Sequence, residues 1–133
     1  MGVREPCSIL SIFKHRLNLN MQTPPVYYSV GCRLGQILHS RLRLECSSLN
    51  YDLHRKSIVE HPYCACGEIE TAKHFLLSCP SYDLLRQTFF SNLPCPLTYN
   101  NLILGSENLT VESNTYLFLQ VQRYIIASKR FSG

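Results

Sequence analysis

Residues 63–80 decide the fold of this chain, and they read YCACGEIETAKHFLLSCP. Three cysteines and one histidine fall in this stretch with the spacing C-x-C-x7-H-x4-C, at Cys64, Cys66, His74 and Cys79. Three thiolates and one imidazole complete a tetrahedral shell, and soft sulfur ligands favour zinc over magnesium or calcium. The spacing therefore predicts one structural Zn²⁺ ion held by these four side chains. The alternative interpretation is a set of ordinary buried cysteines beside a surface histidine.

The end of the motif requires a break in the helix. His74 and Cys79 are five residues apart, which would place them about 140° apart around a continuous α-helix. Pro80 disfavours the helical region for the residue before it, so it should release Cys79 from the helix. We predict a short helix that starts near Thr71, carries His74 and ends before Cys79. Gly67, directly after the second thiolate, suits the tight turn of a zinc knuckle.

Catalytic chemistry has little support in the sequence. A shell filled by four protein ligands leaves no open position for an activated water. The chain lacks a phosphate-binding P-loop, a paired-glycine dinucleotide fingerprint and a zinc-deaminase signature. The remaining histidines have no nucleophile or carboxylate at a telling spacing, and we predict that they are surface residues: His15, His39, His54 and His61. We expect no enzyme and no small-molecule substrate.

The rest of the chain is patterned for helices. Capping residues and apolar periodicity predict five further helices, over residues 32–44, from Ser47 or Ser48 to about Ile58, and over about 82–92, 98–104 and 111–129. Ser81 and Thr110 suit helix N-caps, and Gly105 suits a left-handed C-cap. The predicted fold class is all-α, a small helical domain with one zinc knuckle of the Cys3His type. We assign residues 32–133 to this domain, with the zinc motif at 64–79, and residues 1–31 to an N-terminal arm or linker.

The apolar residues predict which face of each helix is buried. In the first helix the predicted apolar arc comprises Leu34, Ile37, Leu38, Leu42 and Leu44. Arg33 and Arg43 are predicted on the opposite, polar side. Arg41 projects from the middle of the arc, where a buried guanidinium would need a carboxylate partner such as Asp52 or Glu70.

The later helices are expected to supply most of the core. Ile58 would face inward at the end of the second helix, and Leu84 would face inward in the helix over 82–92. The last helix is apolar over more than half of its circumference, from Val111 to Ile126. Such a helix is either the central packing element or a docking surface, and in a small domain we favour the core.

Composition and charge indicate an intracellular globular protein. The chain has 133 residues, 45% of them hydrophobic, and a formal net charge of +4. The excess lies in residues 1–60, with eight basic and four acidic side chains, whereas residues 61–133 have five of each. No run is apolar enough to span a membrane, and no secretory signal or disulfide framework is indicated. We expect a nuclear or cytoplasmic protein, for which a phosphate-backbone partner is allowed but not required.

These motifs together resemble the C-terminal region of non-LTR (LINE-type) retrotransposon reverse transcriptases. In that family a helical pair with an RLRL and LN pattern precedes a C-x-CG-x-x-ET-x-x-HFLL-x-C motif. The same residues stand here at Arg41–Leu44, at Ser47–Asn50 and through the zinc motif, followed by Pro80-Ser81-Tyr82 and Arg86. The resemblance covers about residues 32–90 and extends loosely to Ser128–Phe131. Many family members have C-x2-C where this chain has C-x-C.

The resemblance implies that the chain corresponds to an accessory part of a polyprotein that carries an endonuclease and a polymerase. The paired aspartates of the polymerase site are absent, so this chain cannot polymerise. The implied function is a zinc-stabilised module that binds RNA or DNA, with contacts from Arg33, Arg43, Arg55, Lys56, Lys73 and Tyr63. The alternatives are a structural module that docks on the polymerase domain of the parent polyprotein, and a non-functional remnant of a truncated element.

Overall fold

The computed structural model describes residues 24–132, and this part of the chain is mostly helical. A 3₁₀ turn at Val26–Ser29 precedes helices α1 (Arg33–Arg43) and α2 (Asn50–Arg55). A π-helical turn at His74–Ser78 and a 3₁₀ turn at Pro80–Tyr82 lead into α3 (Asp83–Phe89). The chain continues through α4 (Tyr99–Leu104) and α5 (Val111–Ser128). The only β pairing in residues 24–132 is one antiparallel bridge between Tyr63 and Ile69, so the predicted helical class is confirmed.

The helices begin and end where local chemistry favours it. The Thr98 hydroxyl accepts the N–H of Asn101 at the start of α4, and the Thr110 hydroxyl accepts the N–H of Ser113 at the start of α5. Gly105 follows α4 with φ = 77°, a conformation that glycine adopts at little cost. The predicted cap at Ser81 is wrong, because α3 begins after Tyr82 without a side-chain cap.

Helix α5 is the central packing element, as predicted. Its fully buried side chains pack against α1, α3, α4 and the first 3₁₀ turn, and they are Leu117, Phe118, Val121, Tyr124 and Ile125. Burial of side chains of this size contributes about 1.5–3 kcal/mol each. The two ends of the predicted apolar face are solvent-exposed, at Val111 and Ile126. None of the helices described here is long and apolar enough to cross a membrane.

The buried face of α1 differs from the prediction. The helix turns Gly35, Leu38, His39, Leu42 and Arg43 toward the core, and it leaves Leu34 and Arg41 exposed. Gly35 lies against α5, where an added Cβ would come within 2.6 Å of the Gln122 side-chain oxygen. Gly35 has no side chain, so α1 can approach α5 closely on the side that carries this glycine. Hydropathy alone does not place a glycine on the buried side of a helix.

The buried guanidinium is that of Arg43 and not that of Arg41. Arg43 is 3% exposed, its Nε donates to the Ile103 carbonyl at 2.9 Å, and its guanidinium stacks 4.0 Å from the Tyr28 ring centre. Stacking on a π face and a hydrogen bond to a carbonyl partly offset the loss of water around the charge. The two carboxylates expected near Arg41 form ion pairs with Arg55 and Arg130 instead.

His39 is buried, which corrects its prediction as a surface residue. Its Nε2 lies 2.8 Å from the Leu102 carbonyl oxygen, and its ring packs 4.4 Å from that of Phe118. Because Nε2 must donate to that carbonyl, Nδ1 is the unprotonated nitrogen, and in residues 24–132 it has no hydrogen-bond partner. The site therefore accommodates a neutral imidazole.

This buried imidazole makes stability depend on pH. Unfolding exposes His39 to water, where it takes up a proton below about pH 6.5, whereas burial and the nearby Arg43 hold its pKa in the fold well below that value. The unfolded chain then binds more protons than the folded one. The free energy of unfolding therefore decreases by about 1.4 kcal/mol for each unit by which the pH is lowered below about 6.5. Denaturant titrations at a series of pH values give the free energy of unfolding at each pH. This free energy should depend less steeply on pH for His39→Gln than for the wild type. Parallel pH profiles would contradict the assignment, since acid release of the metal would act on both proteins alike.

Two other predicted inward positions are wrong. Ile58 lies beyond the end of α2 and is exposed, and Leu84 is 76% exposed on α3. Helix α2 ends early because the chain turns at Ser57, which has φ = 60°. The predicted N-terminal arm lies largely outside the described residues. Its last part contacts the helical body, where Tyr27 and Tyr28 pack on Phe118.

Candidate metal centre

The four predicted ligands converge on one point. The ligand atoms of Cys64, Cys66, His74 and Cys79 all lie within 4.8 Å of one another. The Sγ atoms of Cys64 and Cys79 are 3.7 Å apart, and Cys66 Sγ lies 3.2 Å from His74 Nε2. Ligands placed tetrahedrally around zinc at its usual bond lengths would be about 3.5–3.8 Å apart. The donor set and its spacing therefore fit a single metal ion.

A tight hairpin positions the first two cysteines. The Gly67 N–H donates to the Cys64 carbonyl at 2.9 Å, and the Cys64 N–H donates to the Glu68 carbonyl at 2.7 Å. Gly67 has φ = 101°, a backbone conformation that any other residue would adopt only with strain. The bridge between Tyr63 and Ile69 closes the hairpin and fixes the direction of both thiols.

The second pair of ligands is brought together by a π-helical turn. The Thr71 hydroxyl accepts the His74 N–H at 3.0 Å and starts the turn, and the Cys79 N–H donates to the His74 carbonyl at 2.8 Å. This bond spans five residues, so the turn is wider than an α-helical one. Cys79 then leaves the helix in an extended conformation, φ = −65° and ψ = 123°, as predicted from Pro80. The π turn was not predicted, because no residue pattern in the sequence marks it.

The two buried thiols differ in their electrostatic surroundings. Burial raises the pKa of the Cys64 thiol to about 11. Burial acts in the same direction on Cys79, but hydrogen bonds from the backbone N–H and the hydroxyl of Ser81 outweigh it and lower the pKa of this thiol. The hydrogen bonds from Ser81 therefore favour the thiolate form of Cys79.

A partly buried ion pair joins the hairpin to the C-terminal end of α5. Arg130 donates from Nε and Nη2 to the two Glu70 carboxylate oxygens, at 2.9 and 2.7 Å, and the Asn50 N–H donates to Glu70 at 2.8 Å. Although burial favours the neutral acid, the hydrogen bonds from Arg130 and Asn50 lower the pKa of Glu70. We call this group of three residues the Glu70 clasp.

Hydrogen bonds from Arg86 hold the C-terminal end of residues 64–79, which we call the metal loop. Arg86 is buried and donates to the carbonyl of Cys79 and, at 3.3 Å, to that of Phe75. It also contacts the Tyr124 hydroxyl at 3.0 Å and the Asp83 carboxylate at 2.6 Å. The sequence motif includes Arg86, but its carbonyl partners could not be identified without the fold.

The six predicted nucleic-acid contacts differ in exposure, and one of them, Arg43, is buried. Arg33, Lys73 and Tyr63 are exposed, and Lys56 is partly exposed. The Arg55 guanidinium is exposed but pairs with Asp52 at 3.1 Å. Arg43 is buried under Tyr28, so its placement on the polar face was wrong and it is not available to a phosphate.

An open groove of about 590 Å³ runs beside the metal centre. Among the residues that line it are Tyr51, Glu68, Ile69, Lys73 and the candidate ligand His74. No residue pattern predicts this groove, because its lining comes from α2, the hairpin and α4. Cys32 and Cys95 lie outside the cluster and are free thiols.

Comparison of this chain with protein-family models, with curated proteins and with solved structures finds no match.

Proposed function

We propose that this chain is a zinc-stabilised accessory module that binds nucleic acid, of the kind that its resemblance to the C-terminal region of non-LTR retrotransposon reverse transcriptases implies. The observation that carries the proposal is the convergence of three thiols and one imidazole within 4.8 Å of one another. Zinc is the metal that this donor set favours, and Cys64, Cys66, His74 and Cys79 would hold it in one knuckle. The role of the metal is structural, because four protein ligands fill a tetrahedral shell.

Exposed basic side chains near the metal loop support the proposal that the chain binds nucleic acid. Lys73 directly precedes the ligand His74 and points to solvent, and Arg55 and Lys56 lie at the end of α2. Neutralising phosphates with such side chains releases counterions, which supplies most of the affinity of non-specific nucleic-acid binding. The net charge is small, so the affinity of the isolated module should be modest.

The groove beside His74 favours a second candidate function. Its lining includes two exposed apolar side chains, those of Tyr51 and Ile69, and two acidic residues, Glu45 and Glu68. A mixed surface of this kind also suits a protein partner, in this case a polymerase domain of the same polyprotein.

The test is the salt dependence of binding. Fluorescence anisotropy of the zinc-loaded chain with a labelled oligonucleotide should show an affinity that falls steeply between about 50 and 200 mM salt. Lys73→Gln and Arg33→Gln should each reduce the slope of log K against log salt by about 0.7–0.9 if the side chain contacts a phosphate. Arg123→Gln on α5 is the matched control, since Arg123 is exposed and not among the predicted contacts. Absence of binding at 50 mM salt would reject nucleic-acid binding in favour of protein docking.

A further inference from the structure

Three apolar side chains are exposed together at the metal hairpin. Tyr63 is 49% exposed, Ile69 is 46% exposed and Tyr51 is 39% exposed. Isolated exposed apolar residues are ordinary in folded proteins, but a contiguous group of this type commonly contacts a ligand. We call these three residues the tyrosine face.

Backbone contacts make the three side chains neighbours. Tyr63 and Ile69 are partners in the antiparallel bridge, so their side chains project from the same side of the hairpin. The Tyr51 N–H donates to the Glu70 carbonyl at 3.2 Å, which places the first turn of α2 against the same strand. Tyr51 and Ile69 also both line the groove. Ile69 is therefore the bridge partner of Tyr63 and lies next in sequence to the residue that accepts the Tyr51 N–H.

Each ring is supported on one flank by a neighbour. The His61 ring lies 5.7 Å from that of Tyr63, at an angle of 33°. The Arg55 guanidinium lies 5.6 Å from the centre of the Tyr51 ring. Rings that are already held in place lose little conformational entropy when a flat ligand group stacks on them.

We propose that Tyr51 and Tyr63 form a two-ring stacking platform for unpaired bases, so that the ligand of this module is single-stranded nucleic acid and not a duplex. This inference rests on the proposed nucleic-acid-binding function and specifies its substrate class. Bases within a duplex are already stacked and paired, so their faces cannot reach a protein ring, whereas unpaired bases stack on aromatic side chains.

The charges around the tyrosine face are consistent with a single-stranded nucleic acid and restrict where its phosphates can lie. Arg55 and Lys73 border the face and can meet the phosphates of a bound strand. Glu45 and Glu68 line the groove and repel phosphates. The bases therefore lie over Ile69, and the backbone of the strand passes outside the groove.

The experiment compares single-stranded and duplex probes on tyrosine variants of the zinc-loaded full chain. The probes are an oligouridine of about 12 nucleotides and a duplex of equal length, measured by anisotropy. Tyr51→Leu and Tyr63→Leu should each weaken binding of the single strand by about 5- to 150-fold, and the salt slope should stay unchanged. Tyr51→Phe and Tyr63→Phe should bind like the wild type, because they keep the ring. Tyr116→Leu, which alters an exposed tyrosine on α5, is the matched control.

The outcomes separate this inference from the proposed function. Equal affinity for single strand and duplex, or leucine variants that bind like Tyr116→Leu, would overturn the stacking platform while salt-dependent binding still supported the function. Absence of binding to either probe at low salt would overturn both. Unchanged melting temperature and metal content of the variants would show that a loss of affinity does not come from misfolding.

Discussion

Cys66→Ser and His74→Ala will each leave the centre of this domain unfolded. Structural zinc sites of this size contribute about 10–16 kcal/mol to folding, more than the usual net stability of about 5–15 kcal/mol. The hairpin that carries Cys64 and Cys66 has one β bridge and few buried side chains of its own. Without a metal ion, two buried thiols and an imidazole would remain in contact with nothing to compensate their loss of water.

Far-UV circular dichroism and thermal melting of the purified variants will measure the loss, and release of metal to a colorimetric chelator will count the ions. We expect one zinc per wild-type chain and less than one for each variant. Cys32→Ser is the matched control, because Cys32 is an exposed thiol at the start of α1 and serine is a good N-cap. Variants that keep the spectrum and melting temperature of the wild type would refute the metal assignment.

Arg130→Ala will destabilise the fold by about 3 kcal/mol, the lower end of the range for removing one member of a buried ion pair, because Glu70 is buried but Arg130 is 25% exposed. The Glu70 side chain is 4% exposed, and after the substitution its carboxylate would keep only the Asn50 N–H as a described donor. A loss of this size lowers the melting temperature by about 10 °C or more in a chain of this length. Introducing Glu70→Gln into the variant should restore part of the loss, because a neutral amide costs less to bury.

Arg123→Ala provides the comparison for this prediction. Arg123 lies on the same helix and is exposed, with a single 3.4 Å contact to Gln120. Its removal should change the stability by no more than about 0.5 kcal/mol. If Arg130→Ala melted within about 2 °C of Arg123→Ala, the Glu70 clasp would contribute no more than an ordinary surface pair.

The four candidate metal ligands could be predicted because they lie close together in the sequence, at positions 64–79. The spacing of three cysteines and a histidine identifies the ligands, and Pro80 predicts that Cys79 leaves the helix. The cap at Thr110 and the positive φ of Gly105 depend on a few adjacent residues, and they mark the start of α5 and the end of α4.

The burial of polar side chains could not be predicted because their partners are distant in sequence. His39 bonds to a carbonyl 63 residues away, and Arg43 bonds to one 60 residues away. Hydropathy places both side chains in solvent, because it contains no information about the backbone carbonyls that accept their hydrogen bonds or about the tyrosine ring that covers Arg43. The same holds for Glu70, whose partner Arg130 is 60 residues further along the chain.

The difference between local and distant contacts also sets an order of assembly during protein synthesis. Cys64 and Cys79 are 15 residues apart, so the metal loop can close once a short nascent segment has left the ribosome. Helix α5, which forms the centre of the core, and Arg130, which completes the Glu70 clasp, are translated later. The metal ion would therefore be captured first, and the hydrophobic core would then condense around a loop that is already closed.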